Sequence, residues 1–192
     1  MTSDKDALLR YLRAAREAVL WKTEGISERD LRLPRTATGT SLVGIVKHCL
    51  NIEAGYFGPT FGRVPPMASE LIPFAAYESD PQVDWYATED ESAAALIDLY
   101  RRVGDYADAT IEELPLDALG RVPWWPPDRG EVTLHRIALH VIEDVARHAG
   151  HADILREQID GATGLNTANS NLPDGYDWPA YVARLTALAE KY

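Results

Sequence analysis

Apolar residues recur at steps of three and four along four long stretches of the chain, the period of α-helices that each bury one face. The first stretch runs from Asp4, its expected N-cap, to about Glu24. Leu8, Leu12, Ala15 and Val19 form its inner stripe, and Gly25 ends it. The second is SLVGIVKHCLNIEAGYFG, residues 41–58, capped by Thr40 or Ser41, with Leu42, Ile45, Cys49, Ile52 and Tyr56 facing inward. The third follows a capping-box pattern at Thr88–Glu91 and extends to about Glu113, with Leu96, Leu99, Val103, Tyr106 and Thr110 on one face. The fourth, capped by Thr133, continues to about Asp160 and stops at Gly161. A short terminal helix opens at Asp177, with Pro179 in its first turn.

The connections are polar or rich in proline. A polar loop is expected between the first two helices. The prolines of VPPMASELIPFAAYESDPQVDWYAT forbid regular helix there, yet Phe74, Tyr77 and Trp85 predict that this segment packs across the bundle. RVPWWPPDRGE is expected to be a loop. Strand signals are almost absent. Four helices joined partly by long connections predict one all-α domain over residues 1–192, a four-helix bundle with a crossover.

The fourth helix breaks its own pattern. Ile137, Val141, Asp144, His148 and Leu155 fall on one stripe, so a carboxylate and an imidazole face the core. Four residues return a helix to within about 40° and rise about 6 Å, which makes Asp144 and His148 neighbours. The same spacing lets two side chains of a zinc helix converge on one ion. A buried carboxylate needs a partner, and a divalent cation is a good one. His48, on the Ile45–Ile52 stripe of the second helix, offers a third donor. His48, Asp144 and His148 would form a two-His, one-carboxylate set suited to zinc, iron(II), nickel or manganese, with positions left for water or substrate.

Bland alternatives stand beside this. His48 could be a satisfied core histidine, and Asp144–His148 a plain helical ion pair. His140 and His151 share the face, and the four side chains span an arc of about 80°. His151 could replace Asp144 as ligand, orient a ligand, or carry a proton. His140 reads as structural or pocket-lining, His135 as surface, Glu143 as solvent-facing and Cys49 as packing. Trp124 and Trp125 could wall a pocket or cover core, and Arg63, Arg147 and the Asn166–Asn171 loop could meet polar groups of a substrate.

Composition narrows the partners. A net charge of −11 argues against a nucleic-acid surface and against anionic membranes. No stretch approaches the roughly 20 apolar residues of a membrane span. One cysteine permits no internal disulfide, and the amphipathic, acid-bearing start has no apolar signal core, so a cytoplasmic location is expected. Arginine far outnumbers lysine.

The second-helix stretch SLVGIVKHCLNIEAGYFG and the fourth-helix stretch HVIEDVARHAGHADILREQIDG resemble the DinB-like superfamily of metal-binding four-helix bundles, in the branch of mycothiol-dependent enzymes and bacillithiol S-transferases. Segment order agrees, so the resemblance covers roughly residues 5–192. It implies an up-down-down-up bundle with long crossover loops and a short C-terminal helix. The implied ligands fall on His48, Asp144 and His148, and His151 stands where many relatives have Gln. It further implies a divalent metal, zinc foremost, with nickel, iron and manganese as the others, and a homodimer.

The expected activity is that of an S-transferase. It would join a mycothiol-type thiol to an electrophilic small molecule, with His151 as the catalytic acid–base group. A metal-dependent hydrolase, a non-catalytic metal-binding stress protein and a bare helical scaffold are the rivals.

Overall fold

The structure, a computed structural model, describes residues 3–192. It is mostly helical. α1 spans Asp4–Trp21, α2 Glu28–Arg32, α3 Leu42–Phe57, α4 Ala76–Ser79, α5 Ala93–Glu113, α6 Leu134–Asp160 and α7 Trp178–Ala189. Two three-residue strands, β1 (Leu119–Arg121) and β2 (Glu131–Thr133), pair antiparallel, Gly120 opposite Val132. Among the described residues no helix is long and apolar enough to cross a membrane.

Local chemistry sets the helix ends. Ser3, rather than Asp4, caps α1: its hydroxyl accepts from Asp6 N–H while the Asp6 carboxylate accepts from Ser3 N–H. Ser41 caps α3, Thr133 caps α6, and Asp177 caps α7. The capping-box expectation for the third long helix needs correction. Thr88 N–H does donate to the Glu91 carboxylate at 2.7 Å, but the helix begins at Ala93 with Ser92 as cap. Glu91 is occupied by Lys47 instead.

Two further expectations are revised. The loop after α1 contains the single-turn helix α2, capped by Ser27. The proline-rich segment holds a 3-10 turn at Ala68–Glu70 and the one-turn helix α4, both short enough to fit between its prolines. The expected near absence of strand holds but for β1 and β2, whose three residues each are too few to leave a readable alternation.

The core lies among the four long helices. α3 packs along α5, α1 along α6, and α3 also meets α6. Leu12, Ile45, Phe57, Val103, Ile137 and Val141 are fully enclosed there, each contributing about 1.5–3 kcal/mol of hydrophobic stabilisation. The β pair closes the loop that carries Trp124 and Trp125 and sets it beside the end of α3. α7 buries none of its residues, and Trp178, Val182, Leu185 and Leu188 are exposed along it.

One glycine decides how the segment after α4 meets α3. A Cβ on Gly44 would lie 2.1 Å from the Trp85 carbonyl oxygen, so only glycine lets that backbone cross the first turn of α3. Lys47, one turn on, donates to the Tyr86 carbonyl at 3.0 Å and to Glu91 at 2.7 Å. Together these contacts press Asp84 and Trp85 against the next residue of α3, His48.

Candidate metal centre

α3 and α6 bring together the three residues that the sequence singled out. His48, Asp144 and His148 each offer one donor atom, and these atoms lie within 4.8 Å of one another. His148 Nε2 is 3.2 Å from Asp144 Oδ1, and the His48 and His148 rings meet edge to face at 4.8 Å between centroids. Ligand atoms around one divalent ion are separated by roughly 3–3.5 Å when each bond is about 2.1 Å. The set therefore fits a cation after a sub-ångström to ångström adjustment of side chains.

The surrounding contacts prepare these donors. His48 Nδ1–H donates to Asp84 Oδ2 at 2.8 Å, which leaves the ring's lone pair on Nε2. The Trp85 ring stacks on His48 with centroids 4.0 Å apart, fixing the imidazole plane. Asp84 is buried, and the Tyr77 phenol sits against it; burial and then that carboxylate's charge push the phenol's pKa up. His151 Nδ1 lies 3.3 Å from His148 Nδ1, so it can accept the proton of the second ligand ring. His151 itself is exposed. Burial lowers its pKa, and the neighbouring His148 and Arg147 lower it further.

The electrostatics are one-sided. Among the described residues, neither Asp84 nor Asp144 has a lysine or arginine partner; each carboxylate is paired with an imidazole, and Asp84 also meets the Tyr77 phenol. Burial pushes Asp144 up, but the hydrogen bond from His148 and the charges of His148, His48 and His140 outweigh it and hold the carboxyl below its ordinary range. Two carboxylates close to three histidines form a site that invites positive charge.

Other singled-out residues separate cleanly. His140 stays outside the donor set: its Nε2 is 3.1 Å from the Tyr56 hydroxyl, which also accepts from Trp125 Nε1–H at 3.1 Å. His135 is exposed in the first turn of α6, and Glu143 is exposed as expected. Cys49 is buried, and its thiol is pushed well up by that burial and by the Glu53 and Asp144 charges, so it is inert packing. Trp124 walls a cavity beside His48, and Arg63 lines the same cavity. Arg147 is exposed, and no part of the Asn166–Asn171 loop touches that cavity. The residue that sequence reasoning missed is Asp84. Its only signal was a position one residue before a tryptophan already expected to pack inward.

A search of curated proteins returns no match. The family model described as mycothiol-S-transferase matches residues 7–161, which takes in α1 beyond its first residues and α2 through α6, and leaves out α7. The match spans most of the chain and every residue of the donor set, and the chain belongs to the mycothiol-S-transferase family, within the DinB-like superfamily.

Proposed function

We propose that this protein is a divalent-metal-dependent S-transferase that joins a mycothiol-type thiol to an electrophilic small molecule. One observation carries the reading: three donors from two facing helices, Asp144 among them, converge beside the further carboxylate of Asp84, and among the described residues neither carboxylate is paired with a lysine or arginine. Family membership supplies the direction of the chemistry. A divalent cation held by His48, Asp144 and His148, zinc before nickel, iron or manganese, would lower the pKa of a thiol and favour the thiolate, the competent nucleophile.

The chain's own residues divide the remaining work. Asp84 and Trp85 hold the His48 ring in plane and tautomer. His151, linked to His148 and exposed, takes the thiol proton towards solvent. Sulfur attacks the electrophilic carbon; a sulfur–carbon bond forms, and the carbon–leaving-group bond breaks, the leaving group departing with the electron pair. We further assign α1, α3, α5 and α6 to a DinB-like bundle of up-down-down-up order. Residues 1–192 are taken as one domain, working in the cytoplasm as a homodimer.

The test is direct. Protein purified without chelator is analysed for metal, then incubated with mycothiol and monochlorobimane. Stoichiometric divalent ion together with a metal-dependent thiol–bimane conjugate is the expected result. Protein without bound metal that also fails to take up zinc would overturn the site, and metal-loaded protein that forms no conjugate would overturn the transfer chemistry. Hydrolysis of an ester or amide without added thiol would favour the hydrolase instead.

A further inference from the structure

Next to the donor set lies a cavity of about 610 Å³, between α3, the segment after it and the Trp124 loop. That volume suits a small organic molecule. Its walls are mostly apolar: Ile52, Leu71, Phe74, Tyr77, Trp85 and Trp124 face it. The Phe74 and Trp124 rings lie 5.6 Å apart at a shallow tilt, two planes disposed to contact a flat ligand. His48 and Asp84 also line it, so the cavity ends at the donor set, whereas Asp144, His148 and His151 lie outside its lining.

The polar side chains of this lining are already engaged. Asn51 donates to the Lys47 carbonyl at 2.8 Å and accepts from Ile72 N–H at 3.3 Å. Asp84 accepts from His48, and Arg63 donates to Glu113 at 2.7 Å. Arg63 Nε alone among the lining's described buried side-chain polar atoms has no partner. A hydroxyl-rich thiol placed here would lose water and gain almost no hydrogen bonds. A flat, uncharged molecule with a single acceptor atom would lose little.

We infer that this cavity is the acceptor subsite, taking a flat, uncharged, largely aromatic electrophile whose reactive carbon points to His48. The hydrophilic thiol approaches from the side of Asp144 and His151. This division rests on the transferase reading above, and the experiment separates the two. Its probe is tetramethylbimane, which has the ring system of monochlorobimane and no leaving group.

Titration calorimetry with metal-loaded protein should give one tetramethylbimane per chain. Leu71→Trp, which fills the cavity, should weaken that binding by about tenfold or more. Phe74→Ala removes one wall at an exposed position, where folding tolerates the change, and should weaken it by about threefold to tenfold. Mycothiol affinity and metal content should stay at the wild-type level in both variants. Absence of tetramethylbimane binding to the wild type, or equal binding in all three proteins, overturns the subsite. So does an unchanged KM for monochlorobimane in both variants while conjugation proceeds, and the transferase then survives. If no conjugation occurs at all but tetramethylbimane binding still depends on Leu71 and Phe74, the transferase fails and the apolar binding site stands.

Discussion

Two polar clusters sit in the interior of this helical protein, and they are built on opposite plans. The first joins α1, α3 and α5. Glu53, fully buried, accepts from Arg16 at 2.7 Å and from the Tyr100 hydroxyl at 2.8 Å, and Arg16 also reaches Asp108 at 3.1 Å. Arg13 adds a second guanidinium to Asp108. Every charge there has an opposite charge in contact, and Gly104 leaves the space that the Arg16 side chain fills. The second joins α3, α6 and the segment over Gly44. It has two carboxylates and three imidazoles, and among the described residues neither carboxylate is paired with a lysine or arginine. A cluster closed on itself holds the fold; a cluster whose carboxylates lack a lysine or arginine partner holds something else. Burial alone does not distinguish a functional polar group from a structural one, but the local balance of charge does.

The largest effect should come from breaking the closed cluster. Glu53→Ala leaves the buried Arg16 guanidinium with Asp108 alone and the Tyr100 hydroxyl without its acceptor, and should cost about 3 kcal/mol or more of stability. Urea denaturation reads this as a large drop in midpoint. The folded fraction should still bind one divalent ion per chain with wild-type affinity. Loss of metal binding in folded Glu53→Ala would erase the distinction between the clusters.

Breaking the open cluster should do the reverse. His48→Ala and His148→Ala should each lower affinity for zinc by about 100-fold or more, close to 2.7 kcal/mol by the usual conversion. Competition with a chelating dye measures it. His135→Ala, exposed at the mouth of α6, is the control and should bind normally. In excess chelator, stability of the His variants should change by less than that of Glu53→Ala.

Next in size come the residues that prepare His48 from outside the donor set. Asp84→Asn keeps the shape but removes the charge that fixes the ring, and should reduce metal affinity by about 10- to 100-fold. Gly44→Ala places a Cβ against the Trp85 backbone, where nothing flexible can yield. It should cost about 1–3 kcal/mol and weaken metal binding along with it, because Asp84 moves with that backbone. Wild-type metal affinity in both variants would mean that the segment over Gly44 merely covers the site.

The two clusters also differ in how far the sequence foretold them. Asp144 and His148 were legible because helix pitch alone makes residues four apart into neighbours, and His48 because it interrupts an apolar stripe. Asp84 was hidden: it lies in a proline-broken segment with no period, and its place depends on a backbone crossing at Gly44 and on Lys47 reaching Tyr86 and Glu91. Glu53 was equally hidden, since its partners come from helices whose mutual rotation a one-dimensional pattern does not fix. The strands at 119–121 and 131–133 escaped because three residues carry no period, and the start of α5 shifted because Thr88–Glu91 forms one half of a capping box with no helix behind it. Long helices and their inward faces are written in periodicity; contacts brought by irregular backbone are not.

The smallest effect concerns the ion pair that ties the segment over Gly44 to α3. Lys47 is buried and Glu91 is about one-third exposed. Burial alone would raise the Glu91 carboxyl, but the bonds from Lys47 and from Thr88 N–H outweigh it and hold it below its ordinary 4.5. A carboxyl whose folded pKa is lowered stabilises the fold above the unfolded value and loses that contribution as pH falls through the folded value. Glu91→Gln should therefore lower stability at pH 7 by about 0.2–1 kcal/mol, a partly solvated pair being screened by water. The gap from wild type should close as pH drops below 4.5. Urea midpoints at pH 7 and at successively lower pH measure both. A gap that persists undiminished in acid would assign the stabilisation to the shape of the Glu91 side chain rather than its charge. The Lys47 contact would then be a further closed pairing, of the kind seen around Glu53, with no electrostatic part in holding Asp84 against His48.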